Sequence, residues 1–133
     1  MPVFERKEFM LRTGVYARYT IDCDAFDEEE METLAWLISE KGTFREVHAA
    51  SRGARRLAAT LEKYRSEDGV RLIVDDVLTT GQSMTEAREQ TGWHDAVGVV
   101  IFSRGPCPDW VMPIFAMTWI DVEDDSRGPR RDA

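Results

Sequence analysis

Apolar and polar positions alternate along this chain in three recurring patterns. From Asp24 onward Met31, Leu34, Leu37 and Ile38 recur at helical spacing. Asp24 reads as the N-cap, Asp27, Glu28, Glu29 and Glu30 suit the positive end of the helix, and Lys41-Gly42 marks its stop. A short strand is predicted over 44–50. After the break Ser51-Arg52-Gly53 a second helix runs from 54 to 64 through Leu57, Ala58, Leu61 and Tyr64. The apolar run of 71–76 reads as a buried strand, 83–91 as a helix stopping at Gly92, and 96–102 as a strand covered on both faces. Residues 113–119 read as the last strand. The order β-α-β-α-β-β predicts an α/β fold: a small, mostly parallel sheet flanked by helices on both faces.

The ends of the chain read differently. Residues 1–25 hold Phe4, Phe9, Tyr16 and Tyr19 without a sustained period, and Gly14 separates two short extended pieces. That predicts an arm or edge hairpin over one end of the core. Residues 121–133 are polar with Gly and Pro and read as an unstructured tail. One domain spanning 1–120 is the simplest division of 133 residues.

Composition narrows the function classes. The chain is 43% hydrophobic and 32% charged, as in ordinary globular proteins. A net charge of −8 argues against nucleic acid or an anionic membrane as partner, and no aromatics interleave with Arg52, Arg55 and Arg56. No apolar run approaches membrane-spanning length, and the first residues lack the apolar segment of a secretory signal. Cys23 and Cys107 make neither a disulfide framework nor a metal cluster, so a cytoplasmic location is expected. Of the 17 basic residues 14 are Arg, so an Arg carries meaning here only through its position.

Two turns carry chemistry. After the apolar strand come Asp75-Asp76, then Val77-Leu78, then Thr79-Thr80-Gly81-Gln82-Ser83 at the start of a helix. That turn offers a phosphate free N–H groups, hydroxyls, a Gly for close approach and the positive end of a helix dipole. The carboxylates repel phosphate and so point to ligand hydroxyls or to Mg²⁺ beside it. Taken alone, the string reads equally well as a strand, a turn and a helix capped by Thr or Ser. Ser51-Arg52-Gly53 is a second turn of the same kind, able to face the same crevice at the carboxyl ends of parallel strands. Arg55 and Arg56 follow on its helix and read as solvated, with phosphate contact as the alternative. His48 reads as a packed residue, and His94 and Cys107 carry no site.

The whole string of residues 72–83 resembles the 5-phosphoribosyl 1-diphosphate (PRPP) motif of the type I phosphoribosyltransferases. Phe9, Leu11, Thr13, Gly14, Tyr19 and Asp22 are similar to the N-terminal segment of the orotate phosphoribosyltransferases within that family, which forms a hood over the base. The resemblance covers about residues 9–120, with gaps. It implies that Thr79, Thr80, Gly81, Gln82 and Ser83 hold the 5-phosphate. Asp75 and Asp76, the candidate catalytic carboxylates, hold the ribose hydroxyls and the metal-bound region. Ser51, Arg52 and Gly53 hold pyrophosphate, and Arg12 and Arg104 hold the base. Mg²⁺ would be carried by PRPP without a direct protein ligand. The implied activity is transfer of phosphoribose to a nitrogen base such as orotate, as in pyrimidine biosynthesis.

The sequence departs from the family at Ala17, Thr20, Ile21 and Ser103, which stand where a Ser, an aromatic pair and an Asp are usual. Its largest departure lies between Tyr64 and Leu72. Several tens of residues with a mobile cationic loop are expected there, and only seven are present. Closure of such a loop excludes water and completes a catalytic constellation. The alternative reading is therefore a non-catalytic module for PRPP or a nucleoside monophosphate. A homodimer lending the missing cations is left open.

Overall fold

The first helix starts at Glu28, three residues beyond the predicted start. Asp27 rather than Asp24 is its N-cap: the Asp27 carboxylate accepts from the Glu30 N–H at 2.7 Å, and the Glu30 side chain accepts from the Asp27 N–H at 2.9 Å. This reciprocal pair satisfies two orphan donors at once, which a lone Asp24 cap does not. Asp24 sits instead in a short 3₁₀ turn, Cys23–Ala25, in which Asp22 caps the Asp24 N–H. The computed structural model describes residues 2–11, 14 and 16–117. Arg12, Thr13 and the predicted tail lie outside the described residues.

In chain order the elements are β1 (Phe4–Met10), β2 (Tyr16–Ile21), α1 (Glu28–Ser39), β3 (Phe44–Ala49), α2 (Arg55–Leu61), β4 (Val70–Leu78), α3 (Gln82–Thr91), β5 (Val97–Ser103) and β6 (Val111–Ala116). Strands β3-β4-β5-β6 form one sheet in sequential order, and each neighbouring pair is parallel. Alternation along the strands feeds two cores. Leu72, Val74, Val99 and Ile101 pack with α1 and α2, whereas Ile73, Val100 and Val111 pack with Met84 and Ala87 of α3. Ile73 and Val74 are fully buried, each contributing about 1.5–3 kcal/mol by that burial. Helices thus cover both faces, as the pattern predicts. The last strand begins at Val111, earlier than predicted, and carries Pro113 opposite Val100. Its edge position tolerates a residue that has no N–H to donate.

The N-terminal arm is an antiparallel hairpin of β1 and β2. It is held to the carboxyl end of the sheet by Phe4 edge-on to Phe102 at 5.2 Å and by contacts to Arg104. The opposite end of the sheet holds the shortened connection between α2 and β4. There the Ser66 N–H donates to the Phe44 carbonyl at 2.8 Å, the Val70 N–H to Thr43 at 3.2 Å, and Arg65 Nε to the Arg45 carbonyl at 2.7 Å. These anchors tie the turn to the start of β3. Asp75 lies five residues further along β4, about 16 Å away at strand rise.

Candidate functional site

Strand β4 continues past the acidic pair to Leu78, so Asp75 and Asp76 stand inside the strand and not at its tip. Asp75 is buried, at 3% exposure. Its Oδ1 accepts from Ser51 Oγ at 2.6 Å and from the Asp76 N–H at 2.9 Å. Asp76 Oδ1 accepts from the Val77 N–H at 2.8 Å. The second turn meets the same pair, since a Cβ on Gly53 would lie 2.2 Å from Asp76 Oδ2. Glycine is therefore what lets the turn after β3 press against the carboxylates. Burial is the largest influence on Asp75 and, with the adjoining Asp76 carboxyl, outweighs the hydroxyl donated by Ser51, so its carboxyl is pushed up to about 7. Burial, then the charge of Asp76, pushes the Cys23 thiol up to about 12, which leaves Cys23 inert as a nucleophile.

The predicted phosphate turn follows directly. Gly81 takes the left-handed conformation (φ +86°) at the N-cap of α3 and has no side chain with which to cap it. Thr80 Oγ1 accepts from the Gln82 N–H at 3.2 Å. The Gln82 side chain donates along the helix to Glu86 at 2.9 Å. Asp75, Thr79, Thr80, Gly81, Gln82 and Ser83 line one polar cleft with Val77, Leu78 and Met84. The turn's path is set from outside the motif. The Arg104 N–H donates to the Leu78 carbonyl at 2.7 Å, and a Cβ on Gly105 would lie 2.1 Å from the Thr79 carbonyl oxygen. Neither backbone segment can yield cheaply. Gly105→Ala is expected to lower stability by about 1–3 kcal/mol, the usual cost of overpacking. Denaturant unfolding checks it, and an unchanged midpoint would remove Gly105 from the frame of the site.

The arginines divide by position. Arg52 is exposed on the turn after β3 and makes no ion pair among the described residues. Arg56 is structural: it donates to the carbonyls of Asp24 at 3.3 Å and Phe26 at 2.9 Å, tying the 3₁₀ turn to α2. Arg104 is buried, at 6% exposure, and joins the hairpin to the sheet. Its Nη2 donates to the Tyr19 carbonyl at 2.5 Å, and its guanidinium stands 4.0 Å from the Tyr19 ring and 5.4 Å from the Phe9 ring. Arg104 is thus beneath the hairpin that the resemblance makes a hood. Arg12, its predicted companion at the base, is outside the described residues. His48 packs edge-on against Trp93 at 6.0 Å, as a packed residue should.

Sequence reading missed three features: the Ser51–Asp75 hydrogen bond, the Gly105 contact and the Arg56 tether. Ser51 and Asp75 are 24 positions apart, and no local pattern couples them. A Gly directly after Arg104 was the one visible hint of close approach.

Among the described residues no group of three His, Cys, Asp or Glu side chains is placed to hold a metal ion. A buried and a half-buried carboxylate side by side fit a Mg²⁺ that arrives on ligand phosphates, since Mg²⁺ keeps its waters and takes one or two carboxylates. They do not make a cage of their own. No described helix is long and apolar enough to cross a membrane.

No family model matches the sequence, and no curated protein is significantly similar to it. Solved structures are similar. Orotate phosphoribosyltransferase from Aeropyrum pernix aligns with a TM-score of 0.67 at 18% identity, over 89% of this chain and 90% of that one. The Francisella tularensis orotate phosphoribosyltransferase aligns at 0.59 and 18% identity, over 89% and 82%. Leishmania donovani UMP synthase aligns at 0.61 and 14% identity over 89% of this chain, which spans only 34% of that protein. At these identities the likeness shows the fold, and the fold is that of a type I phosphoribosyltransferase.

Proposed function

We propose that this chain binds a ribose 5-phosphate ligand at the carboxyl ends of β3 and β4, with PRPP and Mg²⁺ as the first ligand and a nucleoside monophosphate as the alternative. One observation carries this reading. The turn after β3 presses on the acidic pair, Ser51 on Asp75 and Gly53 on Asp76, and the Thr79–Ser83 turn shares a cleft with Asp75. In this reading the N–H groups at the start of α3 and the Thr79, Thr80 and Ser83 hydroxyls take the 5-phosphate. Asp75 and Asp76 accept from ribose hydroxyls, while Arg52 and the N–H groups of its turn meet the diphosphate. A Mg²⁺ on that diphosphate, when bound, neutralises charge beside the two carboxylates.

Transfer to a base such as orotate is the second reading, supported by the turns after β3 and β4 and Arg104 after β5 lying together at the carboxyl end of the sheet. The C1–oxygen bond would break with its electron pair leaving on pyrophosphate, and the base nitrogen would bond to C1 and lose its proton. Such a reaction rests on positioning and electrostatics and needs no protein nucleophile, in keeping with the inert Cys23. The Arg65–Gly69 connection weighs against rapid turnover, because it is tied to the far end of the sheet and brings no cation to the diphosphate.

A thermal-shift panel of PRPP, orotate and nucleoside monophosphates, with and without Mg²⁺, tests binding. Assays of orotate loss and pyrophosphate release on the same samples test transfer. Stabilisation by PRPP with Mg²⁺ is expected. Stabilisation without turnover over a broad base panel leaves a binding module, and absence of any stabilisation overturns both readings.

A further inference from the structure

Ser51 occupies an unusual position for a residue on a phosphate-type turn. It is the N-cap of the 3₁₀ turn Arg52–Ala54, with extended backbone (φ −146°, ψ 170°) and a side chain of the kind that normally caps. Yet it makes no side-chain cap. Its hydroxyl proton is spent on Asp75 Oδ1, on the neighbouring strand, at 2.6 Å. That contact is short and ends on a carboxylate, which puts it among the stronger hydrogen bonds. The Asp76 N–H donates to the same oxygen at 2.9 Å. Asp75 Oδ1 is thus held twice by the protein, on a side chain that lines the polar cleft and lies against the Asp76 carboxyl. A hydroxyl has one proton to give. With that proton on Asp75, Ser51 has none to offer a diphosphate oxygen, and Arg52 and the backbone N–H groups of the turn are left for that task.

We infer that Ser51 is a positioning residue of the ribose subsite: by fixing Asp75 Oδ1 it holds the carboxylate in the cleft for a ligand hydroxyl, and it is not a ligand of the diphosphate. The inference rests on the proposed ribose 5-phosphate site and deepens it. It moves Ser51 out of the pyrophosphate group in which its place beside Arg52 and Gly53 puts it. It also makes the turn after β3 bifunctional, Arg52 serving the diphosphate and Ser51 the sugar through Asp75. A ligand with ribose hydroxyls then depends on Ser51 whether or not it carries a diphosphate.

Calorimetric titration of the full chain at pH 8, above the range in which the folded chain holds a proton on Asp75, with two probes separates the roles: ribose 5-phosphate, and pyrophosphate with Mg²⁺. Ser51→Ala is expected to weaken ribose 5-phosphate roughly tenfold, the scale of one hydrogen bond to a charged group, and to leave pyrophosphate within about twofold. Ser51→Thr, which keeps the hydroxyl, should restore ribose 5-phosphate binding. Arg52→Ala should show the mirror image, with pyrophosphate weakened and ribose 5-phosphate retained. In an Asp75→Asn background the further change Ser51→Ala should weaken ribose 5-phosphate by much less than tenfold, since the carboxylate that it positions is gone. Loss of pyrophosphate affinity in Ser51→Ala with ribose 5-phosphate binding intact overturns the inference and leaves the proposed site standing. A wild type that binds neither probe overturns both. Thermal melts of each variant identify any that fails to fold, and in that case the Thr and Arg52 variants decide.

Discussion

Replacing Asp75 and Asp76 together by Asn is expected to abolish the stabilisation that PRPP with Mg²⁺ gives the wild type, while the fold survives. Ligand at a hundred times its dissociation constant adds about 2.7 kcal/mol to the stability of the folded state. For a chain of this size that is a rise on the order of 10 °C in the melting temperature. In the proposed reading the pair is where the ligand's sugar and metal-bearing region meet the protein. Asn keeps the shape but removes both charges and offers N–H groups where hydroxyls and a cation need acceptors. The protein's own bonds are largely preserved, because an Asn oxygen still accepts from Ser51 and from the backbone N–H groups of Asp76 and Val77. Thermal melts with and without ligand read the effect directly. A double variant that is stabilised as strongly as the wild type would show that the ligand sits elsewhere.

Asp75→Asn alone is expected to make the unliganded protein more stable at pH 8. The Asp75 carboxyl is pushed up to about 7 in the folded chain, against an ordinary value of 3.8. Between those values the folded state holds a proton that the unfolded state has released, so stability falls as pH rises through the window. Integrated over the interval the loss is at most about 4 kcal/mol by pH 8. Asn carries no such charge, so its advantage should be large at pH 8 and nearly gone at pH 4. Denaturant midpoints of both proteins across pH 4–8 measure it. Parallel curves for the two proteins would mean that the carboxyl is not desolvated as its burial implies. The same variant is expected to bind ribose ligands poorly, so Asp75 trades stability for a site.

The start of α1 shows how far local reading reaches. Asp24 and Asp27 are both followed three positions later by an acidic residue, and both suit a cap. Only Asp27 is followed by a Glu long enough to reach back to the cap N–H, and Asp24 is drawn into a separate turn tied by Arg56 from α2. The tether could not be read, because its partners are some thirty residues apart. Arg104 teaches the same lesson. Its position after β5 was legible, but its burial against the Phe9 and Tyr19 rings depends on where the hairpin lands.

Periodicity, turn residues and the motif of residues 72–83 were enough for the order of elements, the mostly parallel sheet, the helices on both faces and the stop at Gly92. Those features rest on short-range physics: side-chain alternation, capping and glycine conformation act within a few residues. Tertiary structure alone decided that the acidic pair lies inside β4, that Ser51 grips Asp75, that Gly53 and Gly105 let backbone close on Asp76 and Thr79, and that the shortened connection faces away from the site. Each of these joins residues distant in sequence through a parallel sheet. Which side chains meet across such a sheet is set by strand register and burial, and no local run of residues encodes it.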